Sequence, residues 1–188
     1  MIFHYSLGTD FLLNLPEPIG EVCPQISSLR KISRDNILAG GSVCHSFNDP
    51  MTWFVCLLDG DTGKPLWKTT GCALGSAVVI DVIETSSGLI VAVGVTMRII
   101  MLEDHDYPVL DQNMPFIVVL DSAGELQELV VCDIDLADVF YSIIETNPLE
   151  NEFLITGEDI ASNQQVLLRA TISSGLQDLN NSVVSVQR

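Results

Sequence analysis

At 188 residues with 47% hydrophobic side chains, the chain is long enough to bury a substantial core, yet its apolar runs stop at about ten residues, short of the ~20 that a membrane-crossing helix needs. A net charge of −17, from 25 acidic and 8 basic residues, argues against nucleic acid as a partner, because that affinity rests on Lys and Arg displacing counterions from phosphates. The same acidity suits a soluble protein and leaves basic proteins and divalent cations as charged partners.

The opening residues Met1-Ile2-Phe3-His4-Tyr5 carry no basic segment followed by an apolar one, so no secretory leader is read. Cys23, Cys44, Cys56, Cys72 and Cys132 are odd in number and form no Cys-x-x-Cys pair, which suits a reducing, cytoplasmic setting. Cys56 lies in an apolar run and is expected as a small buried thiol.

In chain order, residues 2–13 read as two strands around Leu7-Gly8. Three repeats of a strand cassette follow. Apolar runs ending in glycine recur at Ile37-Leu38-Ala39-Gly40-Gly41, Ile90-Val91-Ala92-Val93-Gly94 and Phe153-Leu154-Ile155-Thr156-Gly157. Hairpins recur at Trp53-Phe54-Val55-Cys56-Leu57-Leu58-Asp59-Gly60-Asp61-Thr62-Gly63-Lys64 and Phe116-Ile117-Val118-Val119-Leu120-Asp121-Ser122-Ala123-Gly124-Glu125, with a degraded copy from Val166 to Leu176. Asp81-Val82-Ile83-Glu84-Thr85 matches Tyr141-Ser142-Ile143-Ile144-Glu145-Thr146, so Glu84 and Glu145 stand 61 residues apart, the same separation as Gly63 and Gly124. Each repeat is therefore expected to hold four short strands, A to D, of about five or six residues, rich in Val, Ile and Leu. Residues 182–186, Ser-Val-Val-Ser-Val, offer one further strand, and the acidic stretch 133–139 is the best place for a turn of helix.

The C–D turns end in Gly63, Gly124 and Gly175, where a hairpin loop needs positive φ. Asp59, Asp61 and Asp121 then cap the turns. Asp59-Gly60-Asp61-Thr62-Gly63 also begins like a calcium loop, but the twelfth position, where such a loop places a bidentate Glu, is Thr70.

The segment from Leu57 to Lys68, with its Asp, Thr-Gly-Lys and Trp67, resembles the blade motif of quinoprotein-like β-propellers, and the wider cassette resembles WD40-like and other propeller repeats. The resemblance spans roughly residues 36–176. It implies an all-β fold: a propeller-like array of about three four-stranded antiparallel blades, with partial blades at both ends. The chain is expected as a single propeller-like domain over 1–188, with repeats near 27–69, 78–131 and 140–180 and residues 1–26 as a partial blade or linker. The resemblance also implies that Trp67 packs between neighbouring blades. The second repeat puts Glu128 or Leu129 near that place and the third puts Asp178 or Leu179 there, a departure from the quinoprotein pattern.

The A–B and C–D turns of such a meander share one end, and the B–C and D–A connections share the other. The B–C connections vary in length, over residues 42–51, 95–114 and 158–164. Loops held by a rigid scaffold are where binding concentrates, so a partner surface is expected there. Its residues are His45, Asp104, His105, Asp106 and Tyr107, joined by Asp133, Asp135 and Asp138 from a D–A connection. Adjacent residues of an extended chain point to opposite sides, so Asp104-His105-Asp106 do not converge on one ion.

With His4, His45 and His105 as the only histidines, a Ser-His-Asp or Cys-His arrangement has few bases available. No nucleophile elbow, phosphate-binding glycine loop or His-Glu-x-x-His helix occurs. No catalytic residue, cofactor or metal is assigned. The expected function is a non-enzymatic interaction module that binds a protein, or itself, through acidic loops or open sheet edges. The alternative is an incomplete or divergent propeller enzyme, a hydrolase or quinone-dependent dehydrogenase, whose site needs further blades or a homodimer.

Overall fold

The computed structural model describes residues 23–44, 50–71, 75–100, 109–132 and 137–172. These residues form three antiparallel sheets in which strands pair in chain order. The first holds β1 (Cys23–Lys31), β2 (Ile37–Cys44), β3 (Thr52–Leu58) and β4 (Pro65–Gly71). The second holds β5 (Gly75–Glu84), β6 (Ile90–Ile100), β7 (Val109–Leu120) and β8 (Leu126–Val131). The third holds β9 (Val139–Asn147), β10 (Glu152–Asp159) and β11 (Gln164–Thr171). Among the described residues the helical content is one 3-10 turn, Ser33–Asp35. Residues 133–136 of the acidic stretch lie outside the described set, and Val139 opens β9.

The expected strand-rich repeat is present, but its strands are longer than the sequence suggested. They run from 6 to 12 residues. The connection over 95–114 is mostly strand rather than loop: β6 and β7 stay paired out to Ile100 opposite Val109, which leaves 101–108 between them. Val95, Thr96, Ile99, Ile100 and Val109 supply β-branched side chains that extend the hairpin. The third sheet has three described strands where four were expected; the 174–176 turn and the 182–186 strand lie outside the described residues.

Register places the repeats against one another residue by residue. Ser28 lies opposite Gly40, Asp81 opposite Val93 and Ser142 opposite Thr156. In each first strand one residue just before this position is skipped by the ladder: Ser27, Ile80 and Tyr141. Such a bulge bends its strand and re-aims the side chains beside it. The three glycines at the ends of the apolar runs are therefore not strand ends. Gly41, Gly94 and Gly157 sit inside their strands, opposite Ile26, Val79 and Phe140 at the bulges.

The sheets pack face against face through side chains that alternate along each strand. Between the first and second sheets lie Leu38, Trp53, Val55, Val79, Val82, Ala92, Phe116 and Val118, all essentially buried. Between the second and third lie Val91, Val93, Val119, Phe140, Ile143, Phe153, Ile155 and Leu168. The face of the first sheet turned away from the second is also buried, through Ala39, Val43, Phe54, Cys56 and Leu58.

Burial pushes the thiols of Cys56 and Cys132 up to about 11, Lys68 pulling that of Cys56 slightly the other way. Near neutral pH this lowers the thiolate fraction roughly 300-fold below that of a free cysteine. Mass spectrometry after brief iodoacetamide treatment is expected to find both unmodified in the folded chain and alkylated once urea unfolds it.

Candidate functional site

Where the three sheets meet, β1, β5 and β9 run side by side, and one carboxylate joins them. Asp81 is 6% exposed. Its Oδ1 accepts from Ser28 Oγ at 2.9 Å, from Arg30 Nε at 3.1 Å and from its neighbour's amide, Val82 N, at 2.9 Å. Its Oδ2 accepts from Arg30 Nη2 at 2.7 Å, from Ser142 Oγ at 2.9 Å and from the Ile143 amide at 3.1 Å. Ser28, Asp81 and Ser142 occupy the same register position of the three repeats, and the bulge before each turns them toward one point. Burial pushes the Asp81 carboxyl upward. The Arg30 guanidinium, the Ile143 amide and the two serine hydroxyls outweigh that push, and the net effect holds it below the usual aspartate value.

A second device repeats between adjacent sheets. Ser33, in the β1–β2 turn, donates its amide at 3.0 Å and its hydroxyl at 2.7 Å to Glu84 Oε2 on β5. Ser86, in the β5–β6 turn, donates its amide at 2.9 Å and its hydroxyl at 2.7 Å to Glu145 Oε2 on β9. The glutamates that mark the repeat are thus clasps between one sheet and the next. The corresponding residues at the ends of the series are Lys31, which pairs with Asp35 at 2.6 Å, and Asn147, whose Oδ1 accepts from the Leu149 amide at 3.2 Å.

Trp67 forms a third link. Its Nε1 donates to the Ser122 carbonyl at 3.2 Å, and the neighbouring Thr69 hydroxyl donates to the Gly124 carbonyl. Gly124 has φ +81, and a β-carbon there would stand 2.5 Å from the indole. The tryptophan does pack between neighbouring sheets, as the blade resemblance implied. Register decides its counterpart in the second sheet: Trp67 lies opposite Leu57 and Glu128 opposite Val119, so the position belongs to Glu128. Burial raises the Glu128 carboxyl, and its Oε2 has no hydrogen-bond partner among the described residues.

The C–D turns are capped by their aspartates. Asp59 Oδ1 accepts from the Thr62 amide at 2.7 Å and the Thr62 hydroxyl at 2.6 Å, while Asp121 Oδ1 accepts from the amides of Ala123 and Glu125, both at 2.9 Å. Among the described residues no three His, Cys, Asp or Glu side chains gather as a metal site.

Of the residues singled out for partner binding, His45, Asp104, His105, Asp106, Tyr107, Asp133 and Asp135 lie outside the described residues. Asp138 is described, and it holds the third sheet's B–C end: its amide donates to the Glu158 carbonyl at 2.8 Å and its Oδ2 accepts from the Ile160 amide at 2.6 Å.

The surface that sequence reasoning missed is the face of the third sheet turned away from the second. Ile144 is 52% exposed and Leu167 is 45% exposed, with Leu154 half-buried between them. Ile144, Leu154 and Leu167 fill the register positions held by Ile83, Val91 and Ile117 in the second sheet. In the second sheet that position set packs against the third. Thr156 and Arg169 on the same face replace Val93 and Val119. No protein-family model matches the chain, and no curated protein matches it in sequence.

Proposed function

We propose that this chain is a non-enzymatic interaction module of the β-propeller type, its three sheets being consecutive blades and the outer face of β9–β11 its docking surface. The observation that carries the reading is the exposed apolar set Ile144, Leu154 and Leu167, placed where the two preceding sheets bury their junction residues. Equivalent bulges, equivalent serine–glutamate clasps and the row of adjacent first strands support the blade reading. The acidic connections at 101–108 and 133–136 form a second contact surface, suited to a basic partner.

The test is quantitative capture of partner proteins on the immobilised chain, comparing wild type, the double variant I144E/L167E and the double variant D104N/D106N. Loss of a partner in I144E/L167E, with an unchanged melting temperature, is the expected result. A partner retained in full by both variants would sink the reading.

A further inference from the structure

We infer that the open face of β9–β11 is the contact face between two copies of this chain, arranged about a two-fold axis. The inference rests on the docking reading above and names its occupant.

A second copy has two sheet faces of docking type to offer. The outer face of its first sheet is already filled: Ala39, Phe54 and Cys56 are 0% exposed and Leu58 is 1% exposed. The face of its third sheet is open. Head-to-tail stacking therefore lacks an acceptor, whereas pairing of like faces uses the same residues on both sides and closes after two copies.

The composition of the face suits that geometry. Along β10 the outward residues are Glu152, Leu154, Thr156 and Glu158, and opposite them on β11 stand Thr171, Arg169, Leu167 and Gln165. Apolar residues occupy the middle, an acid stands at each end of β10, and a cation lies toward one end of β11. A two-fold axis crossing the strands near Thr156 turns the Arg169 end of one copy over the Glu158 end of the other and sets Leu167 against Leu167. Arg169 is held on its own sheet only by Glu152, at 3.4 Å and half exposed, so it is available to a partner. Polar groups around a small apolar centre are the make-up of a separable interface rather than of a permanent core.

Charge adds a signature. Each copy carries a net charge of −17, so the pair repels at long range while its apolar contact attracts at short range. Salt shortens the Debye length from about 10 Å at 0.1 M to a few ångströms near 1 M, and pairing therefore strengthens as salt is added. Docking of a basic partner would weaken instead.

The experiment is sedimentation equilibrium of the full chain in about 0.05 M and about 0.5 M NaCl, at concentrations up to about 100 μM, where pairing with a Kd of that order or tighter shows as dimer. The wild-type chain is expected as a dimer whose Kd falls at least tenfold at the higher salt. The I144E/L167E variant is expected as a monomer with unchanged circular dichroism and melting temperature. T156C, beside the axis, is expected to form a disulfide with its own copy under mild oxidation. A wild-type monomer throughout, or a dimer that survives I144E/L167E, overturns the two-copy inference. If such a monomer still loses a captured partner on the same double substitution, the docking reading stands without it; if it loses none, both fall.

Discussion

Replacing Asp81 with Ala is expected to cost about 3–5 kcal/mol of folding stability, the scale of breaking a buried ion pair by removing one partner. The substitution strands more than a guanidinium. Ser28 and Ser142 lose the acceptor that both hydroxyls share, the Ile143 amide loses its bond, and the three first strands lose their common tie. Asp81→Asn preserves shape and some of the hydroxyl bonds but no longer answers the charge of Arg30, so its cost is expected to be smaller. Urea melts of the three proteins give the order wild type, D81N, D81A. An Asp81→Ala protein within about 0.5 kcal/mol of wild type would show that the tie is decorative.

The same carboxylate sets an acid limit. Its folded-state value is depressed, so the stability it contributes is fully present above the ordinary aspartate value near 3.9 and is lost as pH falls through the lower, folded-state value. Protonation places a hydrogen where Arg30 donates. Between pH 5 and pH 3 the melting temperature of wild type is expected to fall more steeply than that of D81N, which has nothing to protonate there.

The repeat, its strand-rich character and its Asp-capped turns were legible because each depends on neighbours in sequence: Asp59 reaches only to Thr62, and Asp121 only to Ala123 and Glu125. Trp67 was legible through the blade resemblance. What escaped depends on residues more than fifty positions apart. Glu84 and Glu145 were visible as landmarks, but their bonds to Ser33 and Ser86 appear only when two sheets are set side by side. A single aspartate inside the run Val78-Val79-Ile80-Asp81-Val82-Ile83 was a usable signal, since a buried charge demands a partner, yet nothing local points to Arg30 or Ser142. The bulges were invisible because periodicity reads side-chain type, whereas a bulge changes backbone count. The exposed face of β9–β11 was hidden for a similar reason: Ile144, Leu154 and Leu167 fit the apolar pattern of their buried counterparts and differ only in having no described sheet over them.

Gly94→Ala is expected to destabilise the chain by about 3 kcal/mol, the upper end of the usual cost of forcing extra volume into a packed interior. The residue lies mid-strand in β6, at ordinary negative φ, so the argument is one of space alone. A β-carbon there would overlap the Val78 carbonyl oxygen and stand 2.9 Å from Phe116 Cζ. Phenylalanine can shift its ring, but the carbonyl belongs to the bulged stretch of β5 and cannot retreat without dragging Asp81 from its partners. The penalty is therefore expected to couple to the tie. In a double-mutant cycle the Gly94→Ala and Asp81→Asn effects should fall short of additivity by 1 kcal/mol or so, because the first substitution already disturbs what the second removes. Gly157, which faces the Val139 carbonyl at 2.5 Å across the equivalent bulge of the third sheet, provides the control. Its substitution should destabilise through the same crowding of a bulge carbonyl. Additive Gly94 and Asp81 effects would mean that bulge and carboxylate stabilise the sheets independently, and the glycine would then mark local crowding rather than the convergence of three strands on one side chain.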